Sequence, residues 1–215
     1  MAELLVVRHG QASFGSDNYD RLSALGETQA RALGQLLRDL DWVPDRLVTG
    51  TLERQRETLR HMGFDAGDTH AGWNEYDFHD LLRVRYDGTP PDPVLGDRKT
   101  HFRTLRETVF QWQDGGLQGA RETWDHFTAR VASAQADACR PGAERILVVS
   151  SGGVIGQMTA TQMQAPKRMM MTLNLQVKNT AMTRLVGGGD RWFLHEFNAT
   201  PHFSTPQGAE LLSYS

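Results

Sequence analysis

The sequence predicts an α/β fold, a three-layer α/β/α sandwich around a mostly parallel central sheet. Three observations carry this. Short apolar runs alternate with longer amphipathic segments, the pattern of strands joined by crossover helices. The two strongest runs, Leu4–Val7 and Ile146–Val149, are apolar throughout, as strands buried on both faces are. Each leads directly into a short glycine-bearing turn, Arg8-His9-Gly10 and Ser150-Ser151-Gly152-Gly153.

Taken in order, Leu4–Val7 is the first strand, and Gly10 lets the chain turn after it. Ser23 is a plausible N-cap, and Ala30, Leu33, Leu37 and Leu40 share one face of the helix behind it. Asp41 and Pro44 end that helix. Arg46–Thr49 is a second short strand, and Leu52–Met62 a helix with Arg54 in its first turn. Pro90, Pro91 and Pro93 make 87–96 a loop, and Phe102–Trp112 a helix beyond it. Trp124, Phe127, Val131 and Ala138 recur on one face of a helix over Glu122–Cys139. The run Met169-Met170-Met171 reads as packing rather than a binding groove. Val177–Val186 and Trp192–Phe197 read as strands around the turn Gly187-Gly188-Gly189-Asp190. The whole, 1–215, is expected to be one domain, with a cap-like insertion at about 80–121.

Composition narrows the function classes. Hydrophobic residues make up 39% of the 215 and charged residues 23%, which excludes collagen-like and wholly disordered readings. The lone Cys139 cannot form an internal disulfide, so a secreted disulfide scaffold is not expected. Lys and Arg total 23 against 26 Asp and Glu, a net charge of -3, and a nucleic-acid partner would call for a basic excess. No apolar run approaches the ~18 residues that span a bilayer, and Met1–Val7 lacks a signal-peptide pattern. A cytoplasmic protein is expected, with no membrane partner. The histidines outside Arg8-His9-Gly10 show no metal-ligand spacing, so neither a metal nor a cofactor is expected. Oligomeric state is left open.

In a parallel sheet, ligands bind beyond the carboxyl ends of the strands. That rule brings Arg8-His9-Gly10, Arg54 and Ser150-Ser151-Gly152-Gly153 toward one pocket. Two guanidiniums offer forked donors that match phosphate oxygens. A neutral imidazole is a competent nucleophile when its other nitrogen is held. Phosphoryl transfer asks mainly for positioning and charge stabilisation, which such a cluster supplies.

Arg8-His9-Gly10-Gln11, Leu22-Ser23-Ala24-Leu25-Gly26 with Gln29-Ala30, Leu52-Glu53-Arg54 with Thr58, Glu75-Tyr76-Asp77-Phe78, Glu122-Thr123-Trp124 and Asn179 stand in this order along the chain. In order and spacing they resemble the histidine phosphatase superfamily, the phosphoglycerate mutase-like group. The resemblance implies that fold and a small phosphorylated substrate or ligand. It implies His9 as the nucleophile that becomes phosphohistidine, and Arg8 and Arg54 as the phosphoryl-holding pair. Glu75 would be the general acid, then the base that activates water; Asp77 is its nearest rival. The implied activity is metal-independent hydrolysis of small phosphate monoesters.

One departure bears on that activity. The family carries a serine-histidine-glycine-glycine run where this chain reads Ser150-Ser151-Gly152-Gly153, so Ser151 replaces the second histidine. A hydroxyl can still donate to a phosphate oxygen but brings no charge; loss of one preorganised donor typically costs about 10²–10³ in turnover. Ser151 and Gly152 are retained as phosphate-binding candidates. Gly15 and His79 are smaller departures. Three outcomes follow: a phosphatase of reduced activity, compensation by His79 or another histidine, or a phosphate-ligand binding or regulatory protein without turnover. Phosphoglycerate mutase fits less well, because the segment after Glu75 lacks the mutase pattern.

Overall fold

The computed structural model describes residues 1–13, 20–65, 67–91, 98–189 and 191–214. Its sheet has strands β1 (Ala2–Arg8), β2 (Arg46–Thr49), β3 (Asp68–Thr69), β4 (Arg145–Ser150), β5 (Met182–Gly188) and β6 (Arg191–Ala199). They lie in the order β3-β2-β4-β1-β5-β6. Pairings β1–β4, β2–β4 and β2–β3 are parallel, while β5 is antiparallel to both its neighbours, so only β5 runs against the rest.

Alternation along the strands creates the layers. Leu4, Val6, Ile146 and Val148 point to one face, where they meet helices α5 (Trp124–Ala138), α6 (Gly152–Gln162) and α7 (Met169–Asn174). Leu5, Val7, Leu147 and Val149 point to the other, against α1 (Ala24–Asp39) and α2 (Glu53–His61). Helices α3 (Phe78–Arg85) and α4 (Arg98–Gln113) extend the first layer, and Arg85 joins them by donating to Thr108 Oγ1 at 2.8 Å. A short helix α8 (Pro206–Ala209) follows the sheet. No helix among the described residues is long and apolar enough to cross a membrane.

Several expectations are corrected. Residues 177–181 are not strand. Thr180 adopts φ +54°, and its N–H donates to Arg8 O at 3.1 Å rather than to a ladder. The apolar Val177 and Ala181 misled because they are fully buried in a connection that serves the site. Strand β5 instead runs on through Gly187 and Gly188, and the bend starts at Gly189, where φ is +56°; Asp190 lies outside the described residues. Leu40 is 59% exposed, because it caps α1 just where the chain swings away; Trp42 takes the buried place. Gly10 serves close approach rather than a turn, since a Cβ there would stand 2.5 Å from Gly26 O. Helix α4 starts earlier than expected, at Arg98. The methionine run forms α7, with Met170 and Met171 in the core. Gly15 and residues 92–96 of the 87–96 loop lie outside the described residues.

Candidate active site

Parallel strands β1, β4 and β2 deliver their carboxyl ends to one side of the sheet, and the candidate residues gather there. His9 N donates to Ser150 O at 2.9 Å, stitching the end of β1 to the end of β4. Gly10 N donates to Thr58 Oγ1 at 2.9 Å, which brings α2 alongside. Arg54, in the first turn of α2, then reaches His9: its Nε donates to His9 Nε2 at 3.2 Å.

That contact fixes the state of the imidazole. A guanidinium can only donate, so Nε2 must present its lone pair. Nδ1 lies 2.7 Å from Gly10 O, an acceptor, and therefore carries the proton. His9 is only 5% exposed, and burial, with Arg54 and Arg8 close by, holds its pKa well below the usual histidine value. A neutral ring whose Nε2 lone pair faces the Arg54 guanidinium, with Arg8 close by, is equipped to attack an electrophilic phosphorus whose oxygens the cations hold.

Arg8 is buried at the end of β1, and its Nη1 donates to Val177 O. Gly152, opening α6, lies against it: a Cβ at Gly152 would stand 3.6 Å from the Arg8 guanidinium carbon and 2.5 Å from Asn174 Oδ1. Ser151 is fully buried, and its hydroxyl accepts from Gln55 Nε2 at 2.9 Å.

Glu75 approaches from the layer of α6, across the sheet from α2. It follows a 3₁₀ turn, Ala71–Trp73, and its Oε2 accepts from Gly153 N at 3.0 Å. Only glycine permits this, since a Cβ at Gly153 would sit 2.3 Å from Glu75 Oε1. Burial pushes the Glu75 carboxyl above its ordinary range, against the opposing pull of Gly153 N–H and the Arg54 and Arg8 charges. Asp77 is engaged elsewhere: it caps α3 by accepting from Asp80 N at 3.0 Å, and faces Arg121. His79 is exposed on α3.

Comparison with known proteins gives the family and the fold. The model of the histidine phosphatase superfamily (branch 1) matches residues 4–200. The chain belongs to that superfamily. A 64-residue stretch is 39% identical to the 2,3-bisphosphoglycerate-dependent phosphoglycerate mutase of Tropheryma whipplei, covering 27% of this chain and 29% of the mutase, so the match spans under a third of that relative. Solved structures share the fold across nearly the whole chain. The phosphoserine phosphatase of Entamoeba histolytica superposes with a TM-score of 0.67 at 18% identity, over 94% of this chain and 99% of that one. The alpha-ribazole phosphatase of Shigella flexneri gives 0.68 at 21% identity, over 92% and 96%. A mycobacterial glucosyl-3-phosphoglycerate phosphatase gives 0.66 at 21% identity, over 93% and 100%.

Around the candidate site stand further residues, of which Asp20, Arg130 and Ser213 were not picked out from the sequence. Asp20 accepts from Arg54 Nη1 at 2.7 Å and from Glu53 N at 2.8 Å, fixing the guanidinium on the helix end. Arg130 of α5 donates to Gly72 O and Asn74 O at 3.0 and 2.8 Å, just before Glu75, and is itself held by Glu122. Behind His9, Asn179 Nδ2 donates to His9 O at 3.2 Å. Ser213 donates to Asn179 Oδ1 at 2.9 Å, and Gln29 donates to Ser213 Oγ at 2.8 Å. The carboxylate Asp20, three residues before the Ser23 cap, was a visible signal; Arg130 and Ser213 act through contacts far along the chain and gave none.

Proposed function

We propose that this protein is a metal-independent phosphatase acting on small phosphate monoesters through a phosphohistidine. The observation that carries the reading is the His9–Arg54 contact at 3.2 Å, which turns the lone pair of a neutral imidazole toward a guanidinium. His9 Nε2 attacks phosphorus as the bond to the ester oxygen breaks, and the protonated Glu75 carboxyl gives its proton to that oxygen. Water then attacks the phosphohistidine, its proton passes to the Glu75 carboxylate, and the N–P bond breaks to release phosphate. Arg8 and Arg54 neutralise the equatorial oxygens in both steps, with Ser151 and Gly152 beside them. Helices α3 and α4, within the cap-like segment at about 80–121, shape the leaving-group side.

The structural relatives named for phosphoserine, glucosyl-3-phosphoglycerate and alpha-ribazole phosphatases supply the first substrate panel. The test is phosphate release from p-nitrophenyl phosphate and that panel in EDTA. His9→Ala should lose at least ~10³-fold and no longer trap acid-labile, base-stable phosphate on the protein. Turnover unchanged in His9→Ala would overturn the proposal.

A second reading is a phosphate-ligand binding or regulatory protein. The uncharged Ser151 in place of the family's second histidine favours it. It predicts thermal stabilisation by phosphate or vanadate without turnover of any ester. Phosphoglycerate mutase is the third reading, favoured only by the 64-residue match.

A further inference from the structure

Gln55 follows Arg54 on α2 and is fully buried, an unusual place for an uncharged amide unless its hydrogens are used. Both are. Nε2 donates to Trp73 O at 2.9 Å and to Ser151 Oγ at 2.9 Å. A carbonyl oxygen only accepts, so the amide cannot be turned over without setting two oxygens face to face. Ser151 Oγ is therefore an acceptor in this pair, and its own proton has to go elsewhere.

The position of Ser151 makes this more telling. It is the N-cap of α6 with extended backbone, φ -124° and ψ 164°, where a serine usually turns its oxygen onto the first-turn N–H groups. It does not: its side chain makes no cap hydrogen bond. Gln55 holds it away from that role. Among the described residues no acceptor receives the Ser151 proton. A buried donor left unspent is costly to keep. This one stands between Ser150, whose carbonyl accepts from His9 N, and Gly152, which abuts the Arg8 guanidinium.

We infer that Gln55 is a positioning residue that holds the Ser151 hydroxyl out of the helix cap, so that its proton is spent on a phosphoryl oxygen held by Arg8 and Arg54. The inference rests on the phosphatase reading and deepens it: the pair supplies one oriented neutral hydrogen bond in the wall of the site. Phosphate that reaches His9 Nε2 has to part the Arg54–His9 contact on entry. Without Gln55, Ser151 is free to turn back onto α6, and its donor is lost as surely as if the hydroxyl were removed.

The test is a double-mutant cycle on the full chain with p-nitrophenyl phosphate in EDTA, using Ser151→Ala, Gln55→Leu and both together. Each single variant is expected to lower kcat about tenfold to a hundredfold, with KM changed less than about threefold. The double variant should be no worse than the poorer single variant within about twofold, because the two act as a unit. Unchanged kcat in Ser151→Ala, or losses that multiply, would overturn the inference while leaving wild-type turnover, and so the phosphatase reading, intact. Should Gln55→Leu fail to fold, Ser151→Thr decides: it keeps the hydroxyl and should retain most of the kcat that Ser151→Ala loses, and equal losses overturn the inference. If the wild type turns over no ester, the same cycle is read from the rise in Tm with orthovanadate. That rise should shrink equally in all three variants; an undiminished rise in Ser151→Ala counts against the pair.

Discussion

On the proposed phosphatase reading, the two walls of the site are held by different kinds of structure. The nucleophile wall, Arg8, His9 and Arg54, stands on strand ends and the first turn of a helix, tied through backbone groups such as His9 N to Ser150 O. The acid wall is a single side chain, Glu75, on a short turn, held by Arg130 of α5 and by Gly153 of α6. The first wall is rigid because the sheet is rigid. The second is placed by long-range side-chain bonds, so its geometry is the easier to disturb. The difference teaches where each wall should fail: charge loss on the first should harm every substrate, whereas disturbance of the second should harm the phosphorylation step, read as kcat/KM, only with substrates whose leaving group needs a proton.

The largest effect is expected from Arg54→Ala, a loss of about 10³-fold in kcat/KM on aryl and alkyl phosphates alike. Arg54 is also one of the causes of the lowered His9 pKa, so the acid limb of the pH profile should move up in this variant. Arg54→Lys should recover only part of the loss, because an ammonium brings the charge without the fork that spans Asp20 and His9. A loss confined to alkyl substrates would break the contrast between the walls.

Glu75→Gln is the complementary case. Alkyl phosphates should lose about 10²-fold or more in kcat/KM, and p-nitrophenyl phosphate less than about tenfold, since its leaving group departs as an anion. In the wild type, attack needs neutral His9, available above its lowered pKa. Protonation of the leaving group needs neutral Glu75, available below its raised pKa. The kcat/KM profile on alkyl esters should therefore be bell-shaped, its acid limb set by His9 and its alkaline limb by Glu75, and Glu75→Gln should erase the alkaline limb. Arg130→Met should act in the same direction at about a tenth of the size, because it loosens the carbonyls of Gly72 and Asn74 without touching Glu75 itself. A Tm drop accompanies it, worth ~1–3 kcal/mol for a hydrogen-bonded charge lost from Glu122.

The same contrast explains what could be read from the sequence. The layers were legible because Leu4–Val7 and Ile146–Val149 are apolar without interruption, and the nucleophile wall because strand ends carry ligands in parallel sheets. The short strand β3, only Asp68–Thr69, has both residues exposed and no apolar pattern to find. Thr180 was hidden for another reason: a β-branched residue at positive φ contradicts local propensity, and only the tertiary bonds to Arg8 O and His202 make it stable. Gln55 sits one residue beyond a recognised arginine, but an amide on a helix reads as solvated until the fold buries it.

The smallest expected effect separates the walls by the sign of their pH linkage. His202 lies beneath the nucleophile wall, where its Nε2 meets Thr180 Oγ1 at 3.0 Å. The threonine hydroxyl spends its proton on Asn179 O at 2.8 Å, so His202 donates, and burial lowers its pKa to about 4. Between the unfolded value near 6.5 and about 4, the unfolded chain binds more protons than the native one, so stability is lost as pH falls. Glu75 has the opposite sign. Its raised pKa means that the native state binds the extra proton, and stability is lost as pH rises from 4.5 through the folded value. His202→Gln, which keeps an amide donor for Thr180, should flatten the fall in Tm between pH 6.5 and 4.5 without abolishing it, since His9 contributes in the same direction. Glu75→Gln should steepen that fall, because the compensating gain on acidification disappears. Thermal melts across that window measure both, and slopes that move together rather than apart would show that the two walls do not titrate independently.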